Sequence, residues 1–167
     1  MDYRRFDPHA TPYLGTAQTI KEMRRLALAA QTDWPLRRIV EQTCRHLRPK
    51  DYLSELVALH YFVCQRVRYQ RDPLTVELVK TPEATLRTGV GDCDDMATLL
   101  AALALLSGAQ ARFVTVGFRP RGPFTHVYCE GLDPRTNRWV VLDPVAGVRT
   151  GEMLGRVREF KMALVDA

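Results

Sequence analysis

Gly91-Asp92-Cys93-Asp94-Asp95-Met96-Ala97-Thr98-Leu99-Leu100-Ala101-Ala102-Leu103-Ala104-Leu105-Leu106 is the stretch that decides the fold. From Met96 onward every residue except Thr98 is apolar, so a helix here has no polar face to offer water and must be covered on all sides. It is therefore expected to be the central element. Ser107-Gly108 closes it, glycine being the residue that takes the left-handed conformation at least cost. At the other end Asp92 is placed to cap the helix, and Asp95, three residues on, completes an acidic version of the capping box. Cys93 then stands at the first helical position, where open backbone N–H groups and the helix dipole favour a thiolate. The flanking Asp92, Asp94 and Asp95 push the other way, because like charge disfavours ionisation. A nucleophile at this position needs a cationic partner.

Downstream, Ala111 to Phe118 reads as a strand and is followed by the Pro/Gly loop Arg119 to Pro123. Phe124 to Leu132 and Arg138 to Asp143 read as two further strands, joined by the turn residues Asp133-Pro134-Arg135-Thr136-Asn137. A last extended segment is expected from Arg156 to Val165. Upstream, the pattern predicts a helix from Thr16, its cap, to about Gln31, ended by Trp34-Pro35. A second helix is predicted from Leu36 to about Leu47, before Pro49. A third, from about Asp51 to Val67, would bury Leu53, Leu56, Val57, Leu59, Tyr61 and Val63. Arg68 to Lys80 is a connector with an extended stretch over Thr75–Val79, and Thr81-Pro82-Glu83 has the form of a helix start, closed by Gly89. Helices first and an antiparallel sheet afterwards is the α+β pattern. The reading is one domain over residues 1–167: an arm over 1–14, a helical part over 15–67, and a core over 68–167 with the central helix packed on the sheet.

Composition fits this. The 167 residues are 46% hydrophobic and 26% charged, ordinary for a globular chain and unlike a disordered one. No apolar run approaches the roughly 18 residues of a membrane span. The opening Met-Asp-Tyr-Arg-Arg-Phe-Asp-Pro has no apolar core of a secretory signal, so a cytoplasmic location is expected. Of the 24 basic residues 20 are Arg, scattered in ones and twos rather than gathered as a nucleic-acid binder would gather them, so neither nucleic acid nor membrane is expected as a partner. Cys44, Cys64, Cys93 and Cys129 form no CxxC pair and are most simply reduced thiols.

The hairpin supplies a partner for Cys93. A turn centred between Pro134 and Arg135 sets His126 opposite Asp143, and alternation puts His126, Tyr128 and Glu130 on one face with Cys129 on the other. A carboxylate there can hold an imidazole, and a central helix packed on that face brings Cys93 up to it. Chemically, Cys93 attacks an acyl carbon as thiolate, His126 pairs with it and then protonates the leaving amine, and Asp143 fixes the imidazole tautomer. The Cys93 N–H at the helix start is one oxyanion donor. For a second donor, Tyr69 and Trp139 are available aromatics that no spacing places.

Gly-Asp-Cys-Asp-Asp-Met-Ala-Thr-Leu-Leu, Ala-Arg-Phe-Val-Thr-Val-Gly-Phe, Thr-His-Val-Tyr and Trp-Val-Val-Leu-Asp-Pro, in that order, resemble the transglutaminase-like superfamily across roughly residues 64 to 145. The resemblance implies a papain-like cysteine enzyme fold with Cys93, His126 and Asp143 in the positions of the family's catalytic triad. It is most similar to small stand-alone members from bacteria and their phages, for which peptide or isopeptide hydrolysis is proposed, and it lacks the extra β-domains of the animal cross-linking enzymes.

Three activities follow as expectations. The first is a cysteine peptidase or amidase acting on a protein or peptide substrate. The second is a transglutaminase passing the same thioester to an amine, and the third is an inactive module in a larger assembly such as a phage particle. No organic cofactor is implied. Asp92, Asp94 and Asp95 are read first as capping residues, and alternatively as a calcium site beside the nucleophile. His9, His46 and His60 belong to no usable spacing, and His60 reads as a surface or packed residue. The loop Arg119–Pro123 reads either as the rim of a cleft or as a solvated connector.

Overall fold

The computed structural model describes residues 3–5, 12–72, 78–117, 123–145 and 158–163. Most of the expected arm, the greater part of the 75–79 stretch, the loop over 119–122 and the ends of the last extended segment lie outside them. In chain order the elements are β1 (Tyr3–Arg5), α1 (Pro12–Ala29), a 3₁₀ turn (Ala30–Thr32), α2 (Trp34–Cys44) and α3 (Tyr52–Arg66). Then come β2 (Arg68–Tyr69), β3 (Leu78–Lys80), α4 (Pro82–Thr88), β4 (Val90–Gly91) and α5 (Cys93–Leu106). The last four are β5 (Ala111–Gly117), β6 (His126–Asp133), β7 (Arg138–Leu142) and β8 (Arg158–Ala163).

Local chemistry sets the helix ends. Asp33 accepts from the Leu36 N–H at 2.7 Å, so Trp34-Pro35 begins α2 inside its first turn, where proline is tolerated, two residues earlier than the sequence suggests. Asp51 caps α3 and Thr81 caps α4, whose end is turned by Gly89 at φ +66°. Helix α1 starts four residues before Thr16, which lies within it rather than at its start.

Helix α5 is central, as its composition demands: from Asp95 to Ala104 every residue is buried. Ile20, Met23 and Ala27 of α1, Leu36 and Val40 of α2, and Leu56, Leu59 and Val63 of α3 share its core. Of the α3 residues expected to be buried, Leu56, Leu59 and Val63 are, but the inward stripe takes in His60 rather than Leu53, Val57 and Tyr61. His60 is buried, while Leu53, Val57 and Tyr61 are 44%, 41% and 65% exposed.

The main sheet runs β7-β6-β5-β8, antiparallel throughout. Two short pairings tie the helical half down, β1 with β3 (antiparallel) and β2 with β4 (parallel). Phe113, Val127, Cys129 and Leu142 face the core of α5, and Val114, Val116, Tyr128 and Val141 form a separate buried cluster on the other face. The alternation along β6 is as predicted, but the central helix packs on the face opposite to the one expected, with Val127 and Cys129 rather than with Tyr128.

The hairpin register also differs from the expected one. Asp133 pairs with Arg138 and Cys129 with Leu142, so the turn takes in all of Pro134–Asn137 and its centre lies one residue later. The reason is local. Asp133 accepts from the Arg135 N–H at 3.0 Å and from the Thr136 hydroxyl at 2.8 Å, and Asn137 closes the turn at φ +53°. The shift between the strands is two residues, which preserves which side chains share a face.

Candidate active site

Asp92 builds the start of α5. Its carboxylate accepts from the N–H groups of Asp94 (3.1 Å) and Asp95 (3.2 Å), and Asp95 returns a bond from the Asp92 N–H (3.3 Å), completing the capping box. Asp95 also accepts from the Lys80 N–H at 2.7 Å and pairs with the Lys80 ammonium. Upstream, the parallel pairing sets Tyr69 level with Gly91, and Gln70 donates to the Gly91 carbonyl at 2.8 Å. The residue two before Cys93 is therefore held on one side by β2, and the residue two after it on the other by β3. Gly91 leaves no room for a side chain: a Cβ there would sit 2.8 Å from that of Asp95.

The histidine and aspartate meet. Asp143 lies one residue beyond β7, and its Oδ2 is 2.7 Å from His126 Nε2; the two side chains are 2% and 9% exposed. They are diagonal rather than directly opposed, because of the two-residue shift in register. A diagonal pair on one face is still within reach of long side chains. The other carboxylate oxygen of Asp143 accepts from the Val145 N–H at 3.1 Å. His126 also lies beside Tyr128, ring centroids 6.2 Å apart.

Cys93 stands at the first position of α5. The Val127 backbone, on the residue after His126, favours the charged form of the Cys93 sulfur, and the thiol itself donates toward Asp94 Oδ1 at 3.4 Å. Burial raises the thiol's proton affinity most, and Asp94 and Asp92 add to it, so the resting group is S–H. Burial likewise raises Cys44, to about 11, and raises Cys64 and Cys129. The dipole argument for a resting thiolate therefore loses to desolvation and the neighbouring carboxylates. Asp94→Asn removes a charge and weakens the S–H acceptor, and is expected to speed alkylation of Cys93 several-fold at pH 7. Peptide mass spectrometry of the labelled chain reads the rate, with Cys129 as the buried control.

The remaining acidic residues serve the cap and the ion pair. Burial, and then Asp95, pushes Asp92 up to about 7; burial also raises Asp95, against the pull of Lys80. Among the described residues no group of three His, Cys, Asp or Glu side chains is arranged to hold a metal ion. Of the two candidate oxyanion aromatics, Tyr69 lies on the strand beside Gly91. Trp139 lies at the other end of β7 from Asp143, under the Arg112 guanidinium at 4.1 Å.

Sequence reasoning missed His60. Its Nε2 is 2.8 Å from the Asp143 carbonyl oxygen and 3.6 Å from Cys64 Sγ, which in turn lies 3.9 Å from the Pro144 carbonyl. The available signal was an i, i+4 His-Cys pair on one helix, which means nothing until Asp143, 83 positions further along the chain, is folded against it.

No helix among the described residues is long and apolar enough to cross a membrane. Two solved structures share the fold. One is a candidate cysteine protease from Cytophaga hutchinsonii, at 17% identity and a TM-score of 0.54, matching 80% of this chain and 52% of that one. The other is a candidate protease from Parabacteroides distasonis, at 11% identity and a TM-score of 0.57, matching 72% of this chain and 25% of that one. The chain thus spans about half the length of the first and a quarter of the second. No curated protein matches it. The family model of the transglutaminase-like superfamily matches residues 39–144, from α2 through the Cys, His and Asp blocks to the end of the hairpin, and the chain belongs to that superfamily.

Proposed function

We propose that the chain is a cysteine hydrolase that cleaves a peptide, isopeptide or amide bond through a thioester on Cys93. The observation that carries this reading is the 2.7 Å contact between His126 and Asp143. With Asp143 on Nε2, that nitrogen keeps its proton and Nδ1 is the basic one. The resting thiol is neutral, so Nδ1 takes its proton as sulfur attacks the carbonyl carbon, rather than beforehand. The new S–C bond moves the carbonyl electrons onto oxygen, where the Cys93 N–H at the helix start is suited to receive the charge. Collapse expels the amine, which takes the proton from His126. Water, activated by the same imidazole, then releases the acid and restores the thiol.

The test is to offer a glutamine-containing peptide together with a labelled primary amine and a set of end-blocked peptides, and to read products by mass spectrometry. Hydrolysis without incorporation of the amine, lost in Cys93→Ala, is the expected result. Incorporation without net hydrolysis would make the protein an amine transferase instead. An intact chain that forms neither product, and whose Cys93 labels no faster than Cys129, would point to a structural role.

A further inference from the structure

His60 is buried, and its Nε2 is aimed at the backbone of the third member of the site. A carbonyl oxygen only accepts, so the 2.8 Å contact with Asp143 requires the proton on His60 Nε2. Cys64, one turn further along α3, faces the same imidazole nitrogen and the next carbonyl, that of Pro144. The Asp143-Pro144 backbone is thus gripped from α3, while the Val145 N–H holds Asp143 Oδ1. This matters because Asp143 lies outside the β7 ladder, whose last paired residue is Leu142. No strand hydrogen bond of that ladder fixes the peptide that carries the carboxylate.

We propose that His60, supported by Cys64, is a positioning residue that aims the Asp143 carboxylate at His126. The inference rests on the reading of His126 and Asp143 as a working pair and adds a residue on α3 to it. A ring that merely fills core volume would be replaced by any side chain of similar size. A positioning donor is replaced only by one that delivers an N–H to the same point. Glutamine places its amide nitrogen close to where Nε2 stands, and asparagine falls short of it.

The experiment follows the ionisation of His126 by NMR in the full chain, with His126→Gln assigning the signal. Wild type is compared with Asp143→Asn, His60→Gln, His60→Asn and His60→Leu, and the pH–rate profile is recorded for the same set where turnover is found. Loss of the aligned carboxylate weakens proton binding at His126. About a tenfold loss is expected in Asp143→Asn, a similar loss in His60→Asn and His60→Leu, and less than about twofold in His60→Gln. If His60→Leu does not fold, the contrast between glutamine and asparagine decides alone. A shift in Asp143→Asn with none in either His60→Asn or His60→Leu overturns the positioning role and leaves the pair standing. Equal shifts in His60→Gln and His60→Asn reduce His60 to packing and overturn it too. No shift in Asp143→Asn overturns both the pair and its clamp.

Discussion

Cys93→Ala is expected to leave a folded chain with no measurable turnover, a loss of about 10⁴-fold or more in kcat, because the attacking atom is gone. The site's other two members should fall in a graded way. On the proposed mechanism His126→Ala removes the base that takes the thiol proton, and here the requirement is strict. Cys93 is S–H at rest, held up by burial, Asp94 and Asp92, so it has no standing thiolate to fall back on. Asp143→Asn keeps the shape but turns an acceptor into an amide. The imidazole can then choose the wrong tautomer, at a cost of about 10²–10⁴-fold. Residues that act as a unit do not lose their effects additively, so the double variant Cys93→Ala/His126→Ala should be no worse than Cys93→Ala alone. Steady-state rates on whichever substrate is cleaved, with a melting curve for each variant, check the series. A His126→Ala chain that keeps more than a tenth of wild-type kcat would remove the histidine from the chemistry.

Lys80→Met is expected to be the most destabilising single exchange of a charged residue in the described chain. Burial alone would lower the proton affinity of Lys80, but Asp95 outweighs burial and the net is upward. Asp95 is fully buried and bonds to the Lys80 N–H and ammonium and to the Asp92 N–H. Removing one partner of such a pair strands the other, at a cost of about 3–5 kcal/mol. For a chain of this size that lowers Tm by about 10 °C at pH 8.

The pH dependence has a definite sign. Asp92, and in direction Asp95, bind protons more tightly folded than unfolded. Their contribution to stability is therefore full below about pH 4, the ordinary carboxylate range, and is lost as pH rises through about 7. Wild type should melt higher at pH 5 than at pH 8. The difference between wild type and Lys80→Met should shrink at pH 5, where protonating Asp95 removes the stranded charge. Thermal melts at the two pH values test this, and an equal Tm loss at both would show that Lys80 contributes packing rather than charge.

What was legible in the sequence divides by range. The capping box, the Thr81-Pro82 start and the Gly89 stop are decided by residues within four positions of one another, and they stand where the sequence predicts. The burial of α5 follows from its composition alone. The register of the hairpin depended on how many residues the turn consumes. Two side-chain bonds from Asp133 fixed that number differently, yet the two-residue shift kept His126 and Asp143 on one face. The face of the sheet taken by α5 was not legible, because both faces are apolar and buried. The exposed Leu53, Val57 and Tyr61 and the buried His60 have the same origin. Leu56, Leu59 and Val63 point inward as expected, but the edge of that stripe is set by His60, and a histidine whose burial is met by a carbonyl 83 positions away leaves no local trace.

The burial of α5 on every side has a kinetic consequence. Amides along Leu99–Leu103 are enclosed by the surrounding helices and a sheet and should exchange with solvent only when the whole domain opens. Cys93, the proposed nucleophile, is thus mounted on the slowest-moving part of the molecule. Asp143 stands beyond the last rung of a strand and can be released by a smaller, sub-global opening. On warming, the imidazole should lose its carboxylate while the cysteine is still in place, so activity should fade below the temperature at which helicity is lost.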